Sequence, residues 1–409
     1  MKGLKMSLVI MASALLTMGL TTMVYAFHSG GVAECGGCHS MHGPAAGGTK
    51  LLVGTDQSSA CLSCHEHAGD TGPSSYHVST APADMPAGTA PLQRTPGGDF
   101  GWLKKTYTFV VRGTTNTEDG ATHGHNIIAV DKGYTVDPTN ATAPGGSFPS
   151  AQLGCQSCHD PHGQYRRLSD NTVSKTGAPI IGAGSYDNSA VPAVGQAVGV
   201  YRLLAGAGYA KNGVTFNGVP AAKVPSTYNR TEATTQTRVA YGVATSGGHV
   251  TWGNWCGTCH TGMHSTGNYV HPVDEGLGSD MAIIYGQYVK TGDMTGTLPT
   301  SFTSLVPFAT NSGDYTALAA LAKNDGSQLG GPTSSDQVMC MSCHRAHATG
   351  FPDMLRWNME NEFITINGVY QTTQRGRATL ESAAGYYDRP ATVFATYQRV
   401  LCNKCHAKD

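Results

Sequence analysis

Six copies of one short motif divide this 409-residue chain. They are Cys35-Cys38-His39, Cys61-Cys64-His65, Cys155-Cys158-His159, Cys256-Cys259-His260, Cys340-Cys343-His344 and Cys402-Cys405-His406, and they use all 12 cysteines. C-x-x-C-H is the pattern of c-type haem attachment. Two thiols on one helical turn can each form a thioether with a haem vinyl group. The His after the second Cys is then carried over the porphyrin face, where its imidazole can reach the iron. A zinc site, a disulfide scaffold or a thioredoxin-like motif would use the cysteines but leave the repeated His unexplained. The pattern therefore predicts six haem c groups, with His39, His65, His159, His260, His344 and His406 as proximal ligands.

Eleven other histidines remain of the 17. Electron-transfer haems are usually six-coordinate, so bis-His ligation takes six of them as distal ligands. Three motifs continue as C-x-x-C-H-x-x-H, adding His42, His162 and His347. A His so placed cannot easily bend round to the far face of its own haem, but it can reach a neighbouring one. Each of these motifs also follows a His in a turn-like context: His28, His125 and His271. The chain thus reads as three diheme modules, approximately residues 27–110, 111–265 and 266–409, each with one upstream and one bridging His. His28, His42, His125, His162, His271 and His347 are the expected distal ligands. His67, His77 and His264 stand in reserve.

Composition narrows the class further. Acids and bases nearly cancel at a net charge of −1, which gives no basic face for nucleic acid. Residues 1–26 read as a signal peptide: Lys2 and Lys5, an apolar stretch from Met6 to Leu20, then Val24-Tyr25-Ala26 before the cleavage site. Thr17, Gly19, Thr21 and Thr22 dilute the apolar run, and no stop-transfer charges follow it, so a membrane anchor fits less well. The mature unit, 27–409, is expected outside the cytoplasm.

Between motifs lie Gly-, Pro-, Ser- and Thr-rich stretches such as Ala81 to Gly98, Asp137 to Ser150 and Thr176 to Gln196. A strand-like run spans Lys105 to Arg112, and helical patterns span Asp280 to Val289, Tyr315 to Lys323 and Ala391 to Cys405. The expected fold is mostly coil, with short helices at the motifs, little regular sheet and a haem-centred core. Porphyrin burial, at roughly 25 cal/mol per Å² of apolar area, replaces much of a side-chain core. The haem-free chain is expected to be largely unfolded.

Several segments with no generic role in haem attachment are similar to the OmcS-like extracellular hexahaem cytochromes of metal-reducing bacteria, a nanowire filament family. They are FHSGGVAEC (27–35), HAGDTGPSSYH (67–77), ADMPAGTAPLQ (83–93), PGGDFGW (96–102), PSTYNRTEATTQTRVAYG (225–242) and LCNKCHAKD (401–409). The stretches 113–140 and 265–336 diverge, leaving His123 and His249 without a counterpart. The resemblance implies head-to-tail polymerisation into conductive filaments at the cell surface. These pass electrons from the cell surface to external acceptors such as ferric oxides or partner cells, with other extracellular or outer-membrane cytochromes as partners. It also implies that His42 reaches into the adjacent subunit and ligates the haem on Cys340, Cys343 and His344 there.

Two other functions compete with this expectation. A multihaem reductase needs one haem with an open iron position, often with an altered motif, and the six motifs are uniform. A monomeric shuttle or an outer-membrane conduit subunit would use the same haem chemistry without polymerising.

Overall fold

The helices are short because the motifs dictate where they begin and end. The computed structural model describes residues 35–42, 50–67, 76–226, 232, 236–244, 250–263, 271–371 and 376–407. Within five motifs the amide of the His donates to the carbonyl of the first Cys, at 2.8 Å for His39, 3.0 Å for His159, 3.2 Å for His260, 3.0 Å for His344 and 2.9 Å for His406. That single helical bond sets thiols and imidazole on one turn. Cys35–Cys38, Gln57–His65, Trp252–Gly257 and Cys340–Cys343 are α-helical, whereas Cys155–Ser157 and Leu401–Lys404 are 3-10 turns. Asp56 caps its helix by accepting from the Ser59 amide at 2.8 Å, and Thr251 caps its own from Asn254 at 3.0 Å.

The expected strand forms at Tyr107–Val111 and pairs antiparallel with Thr114–Glu118. Arg112 (φ 49°) and Gly113 (φ 80°) join the two, giving the pair of left-handed residues that a tight hairpin turn requires. Elsewhere among the described residues regular sheet is confined to four further two-stranded pairs and one three-stranded sheet. The expected helices occur at Gly278–Gln287 and at Tyr315–Leu321, the latter capped by Asp314.

The helix expected from Ala391 to Cys405 does not form. Only 3-10 turns at Ala391–Val393 and Leu401–Lys404 appear there. The segment between runs extended against residues 362–366: the Ile364 amide donates to Gln398 O, the Val400 amide to Glu362 O, and the Gln398 amide to Thr365 Oγ1. Tertiary pairing takes the backbone groups a helix would have used, and β-branched Thr392, Val393, Thr396 and Val400 do little to resist it.

The apolar core is a series of clusters, and two of them have attachment cysteines packed on them. One joins Tyr165, Val200, Leu204, Tyr241 and Trp252, with Trp255 and Met341 packed on it. A second joins Tyr285, Phe302, Phe308, Phe351 and Trp357, with Cys343, Cys402 and Cys405 packed on it. A third joins Leu62, Phe100, Ile127 and Tyr134 against Cys155. No helix among the described residues is long and apolar enough to cross a membrane.

Candidate haem sites

The six cysteine pairs lie in a row that follows the sequence. The thiols of Cys61 and Cys155 lie beside each other, as do those of Cys256 and Cys340. Burial raises Cys38, and nearby Cys61 and Cys64 raise it further. Cys158 is pushed up to about 12 by burial and by Cys259. Cys343 is likewise pushed up to about 12 by burial, Cys402 and Cys405. Each motif therefore neighbours the next, from the first to the sixth.

Five of the motif imidazoles are each held in one tautomer. A ring nitrogen facing a carbonyl must carry the proton, which leaves the other nitrogen with a free lone pair. Nδ1 donates in this way in five motifs: His39 to Lys50 O at 2.9 Å, His65 to Tyr76 O at 2.8 Å, His159 to Arg202 O at 2.8 Å, His260 to Pro144 O at 2.9 Å and His344 to Asp353 O at 2.7 Å. In all five, the Nδ1 contact makes Nε2 the nitrogen without a proton, and the residues present fit haem c.

Three of these contacts belong to one repeated clasp. His39, His159 and His344 each form an antiparallel bridge with a Leu, namely Leu52, Leu204 and Leu355. The two residues before each Leu are both left-handed: Lys50 and Leu51 (φ 58° and 58°), Arg202 and Leu203 (49° and 52°), Asp353 and Met354 (57° and 59°). The first supplies the carbonyl that receives Nδ1. The second receives the amide of Ser40, Asp160 or Arg345 at 2.7, 2.7 and 2.9 Å. The residue after the Leu closes the clasp by donating to the second Cys of the motif: Val53 to Cys38, Ala205 to Cys158 and Arg356 to Cys343. Left-handed non-glycine residues cost of order 1–3 kcal/mol each, and here the strain aims a carbonyl at the imidazole.

Among the expected distal ligands, three rings face a motif ring. Centroids are 6.1 Å apart for His125 and His260, 6.5 Å for His159 and His347, and 6.3 Å for His271 and His406. With a metal–nitrogen bond of about 2 Å, two imidazoles on opposite faces of one iron have centroids about 6.3 Å apart. His125 Nδ1 donates to Ala346 O at 2.8 Å. Burial pushes His125 down to about 4, helped by the nearby His260 and His344 rings, and pushes His347 down to about 3, helped by His159. Both are therefore neutral near pH 7, as ligation requires.

His347 has a built cradle. Its ring stacks on Phe100 at 4.7 Å, its amide donates to Gly97 O at 2.7 Å, and its carbonyl accepts from the His125 amide at 3.0 Å. A Cβ on Gly98 (φ 90°) would fall 1.8 Å from Ala348 O, and one on Gly124 would fall 2.4 Å from His347 O. The chain can approach this closely only without side chains there.

His42 and His162 are exposed, and the His162 amide is held by Asp160 Oδ1 at 3.1 Å. His28 and His264 lie outside the described residues, as does His249. Of the reserves that are described, His67 pairs through its backbone with Thr80, and His77 is buried beside Tyr76. His123 is fully buried, with Nε2 2.6 Å from Glu118 Oε1 and Nδ1 3.2 Å from Trp102 O. It is a structural residue of the core, a role its sequence context did not reveal.

No family model matches the chain. The C-type cytochrome OmcS of Geobacter sulfurreducens is 52% identical over 440 aligned positions that cover 100% of both proteins. The cryo-EM structure of OmcS nanowires from that organism matches with a TM-score of 0.86 at 52% identity, covering 94% of this chain and 100% of that one. The outer membrane cytochrome S filament of the same organism matches at the same TM-score, with 51% identity and the same coverage. Identity of this degree along the whole length, on a row of c-type attachment motifs, shows that the chain belongs to the OmcS family of c-type cytochromes.

Proposed function

We propose that this protein carries electrons outside the cell through six bis-His c-type haems, and that it polymerises into a conductive filament. Electrons pass from the cell surface and other outer-membrane cytochromes to external acceptors such as ferric oxides or partner cells. The observation that carries the reading is the ordered row of attachment cysteines, flanked by ring pairs spaced for two axial ligands. A row in chain order provides one continuous path along which successive cofactors can exchange electrons. Covalent attachment fixes each cofactor, and the clasps fix the imidazoles.

The ligand pattern repeats by module. His125 precedes the second module and faces His260, and His271 precedes the third and faces His406. By the same rule His28 serves the haem on Cys61, Cys64 and His65. The bridging His347 of the third module faces His159, the first motif of the second. The same step back gives His162 to the haem on Cys35, Cys38 and His39. One more step back from the first module leaves the subunit: His42, exposed beside the exposed Met41, would ligate the haem on Cys340, Cys343 and His344 of a neighbouring copy. Such a head-to-tail contact does not close and so generates a filament. All six irons are filled by imidazole in this arrangement, which leaves no open position for a substrate, and the chain acts as a carrier and not an enzyme. Residues 1–26 direct export and are removed.

Negative-stain microscopy of the purified secreted protein tests this reading. Filaments are the expected result, with no carbon monoxide binding by the reduced haems. Uniform small particles at high concentration would overturn it.

A further inference from the structure

Behind the fifth motif lies a buried charge cluster. Arg345 directly follows His344, and its Nη1 donates to Glu232 Oε2 at 2.9 Å and to Pro96 O at 3.2 Å. Arg356 donates through Nε to Met341 O at 2.7 Å and to His344 O at 3.1 Å, and its Nη1 lies 3.5 Å from the same Glu232 oxygen. Arg389 donates to Glu232 O at 3.1 Å and bonds Ser304 Oγ. The exposures are 0% for Arg345 and Arg356, 5% for Arg389 and 3% for Glu232. Among the described residues, two guanidiniums thus share the Glu232 carboxylate and a third sits on the Glu232 backbone carbonyl, so three cations gather around one carboxylate.

Among the described residues, the acids acting on the attachment residues of the fifth haem are Asp274, beside Cys340, and Asp353, beside His344. Arg94 is neutralised by its own partner Asp388 at 2.7 Å, and the Asp353 side chain faces solvent. The face of Arg345 is covered by the Tyr387 ring at 3.6 Å, a favourable contact for a cation but not a compensating charge. Arg345 Nε and Nη2 and Arg356 Nη2 have no acceptor and are walled in by protein atoms, so no haem propionate reaches them. Buried charges interact through a lower effective dielectric than water provides, so the excess acts at range.

Adding one electron to a ferric haem removes one positive charge from the iron and its porphyrin. A nearby positive excess favours that change, and net charge around the cofactor is one of the levers by which a protein sets its potential. We propose that the Arg345, Arg356, Arg389 and Glu232 cluster raises the reduction potential of the haem on Cys340 and Cys343. These are positioning residues for charge, not ligands. This inference rests on the ligand reading above, in which that haem takes its sixth ligand from the next subunit. The subunit joint would then be where an electron rests most favourably in this part of the path.

The test is a spectroelectrochemical titration of purified filaments carrying Glu232→Gln, Arg389→Gln or Arg345→Gln. Haem content is measured by pyridine haemochrome, and attachment to the 340–344 peptide by mass spectrometry. About one sixth of the redox-linked absorbance should move to higher potential in Glu232→Gln and to lower potential in both Arg variants. Opposite signs are the diagnostic, because loosened packing would push all three the same way. Unchanged titrations, shifts of one sign, or a uniform shift of all haems would overturn the proposal. Loss of haem from the 340–344 peptide in the wild-type protein would instead refute the ligand reading beneath it.

Discussion

At the scale of single residues, the site depends on how the imidazoles are held as much as on their presence. The His344 ring is fixed by a carbonyl nine residues away and the His159 ring by one 43 residues away. Distances so unequal hide the clasp in the sequence, although the attachment motifs themselves are plain. The iron count leads to an expected set of distal ligands but not to their pairing, and the structure brings three of that set, His125, His271 and His347, to motif rings. Nothing in the sequence links His347 to His159; Gly97, Gly98, Phe100 and Gly124 do so by letting two loops touch. His347→Met should therefore alter the ligation of one haem in six, seen as a change confined to one component of the ferric electron paramagnetic resonance spectrum. An unchanged spectrum would remove His347 from the ligand set. Gly98→Ala should cost about 2 kcal/mol or more, because its left-handed φ and the Ala348 carbonyl both oppose a Cβ. Thermal melting of the holoprotein measures that loss.

At the scale of elements, the chain builds short pieces and joins them by specific contacts. The strand at Tyr107–Val111 and the helices at Gly278–Gln287 and Tyr315–Leu321 could be read from local pattern, although the partner strand Thr114–Glu118 was not. The segment from Ala391 to Cys405 could not, because Glu362, Ile364 and Thr365 decide it from outside. The clasps follow the same rule: two left-handed residues and a Leu mean little until a motif His pairs with them. The third clasp offers a clean test at Asp353, whose side chain is exposed and whose φ is 57°. Asp353→Gly should be neutral or stabilising within about 1 kcal/mol, since glycine adopts this backbone readily. Asp353→Val should cost about 2 kcal/mol, because a β-branched residue resists it. Equal melting temperatures for the two variants would argue that this backbone does not hold His344.

At the scale of the whole molecule, the apolar core is split into separate clusters, and the cysteine pairs neighbour one another in sequence order. Such a chain has little reason to fold before its haems are attached. Protein expressed without haem attachment should give the circular dichroism of a disordered chain, and a native-like spectrum would contradict that. The number of cofactors was legible from the sequence, whereas their order was not, because contacts such as Cys61 with Cys155 and Cys256 with Cys340 span large sequence separations. The module rule carries the account from one molecule to the polymer, since stepping back from His347 and His162 arrives at His42 with no iron left for it in its own chain. His42→Ala, examined by electron microscopy and by haem spin state, tests that claim most directly. The account predicts short or absent filaments, all six haems still attached, and one haem in six turned high-spin. Full-length filaments with six low-spin haems would contradict it.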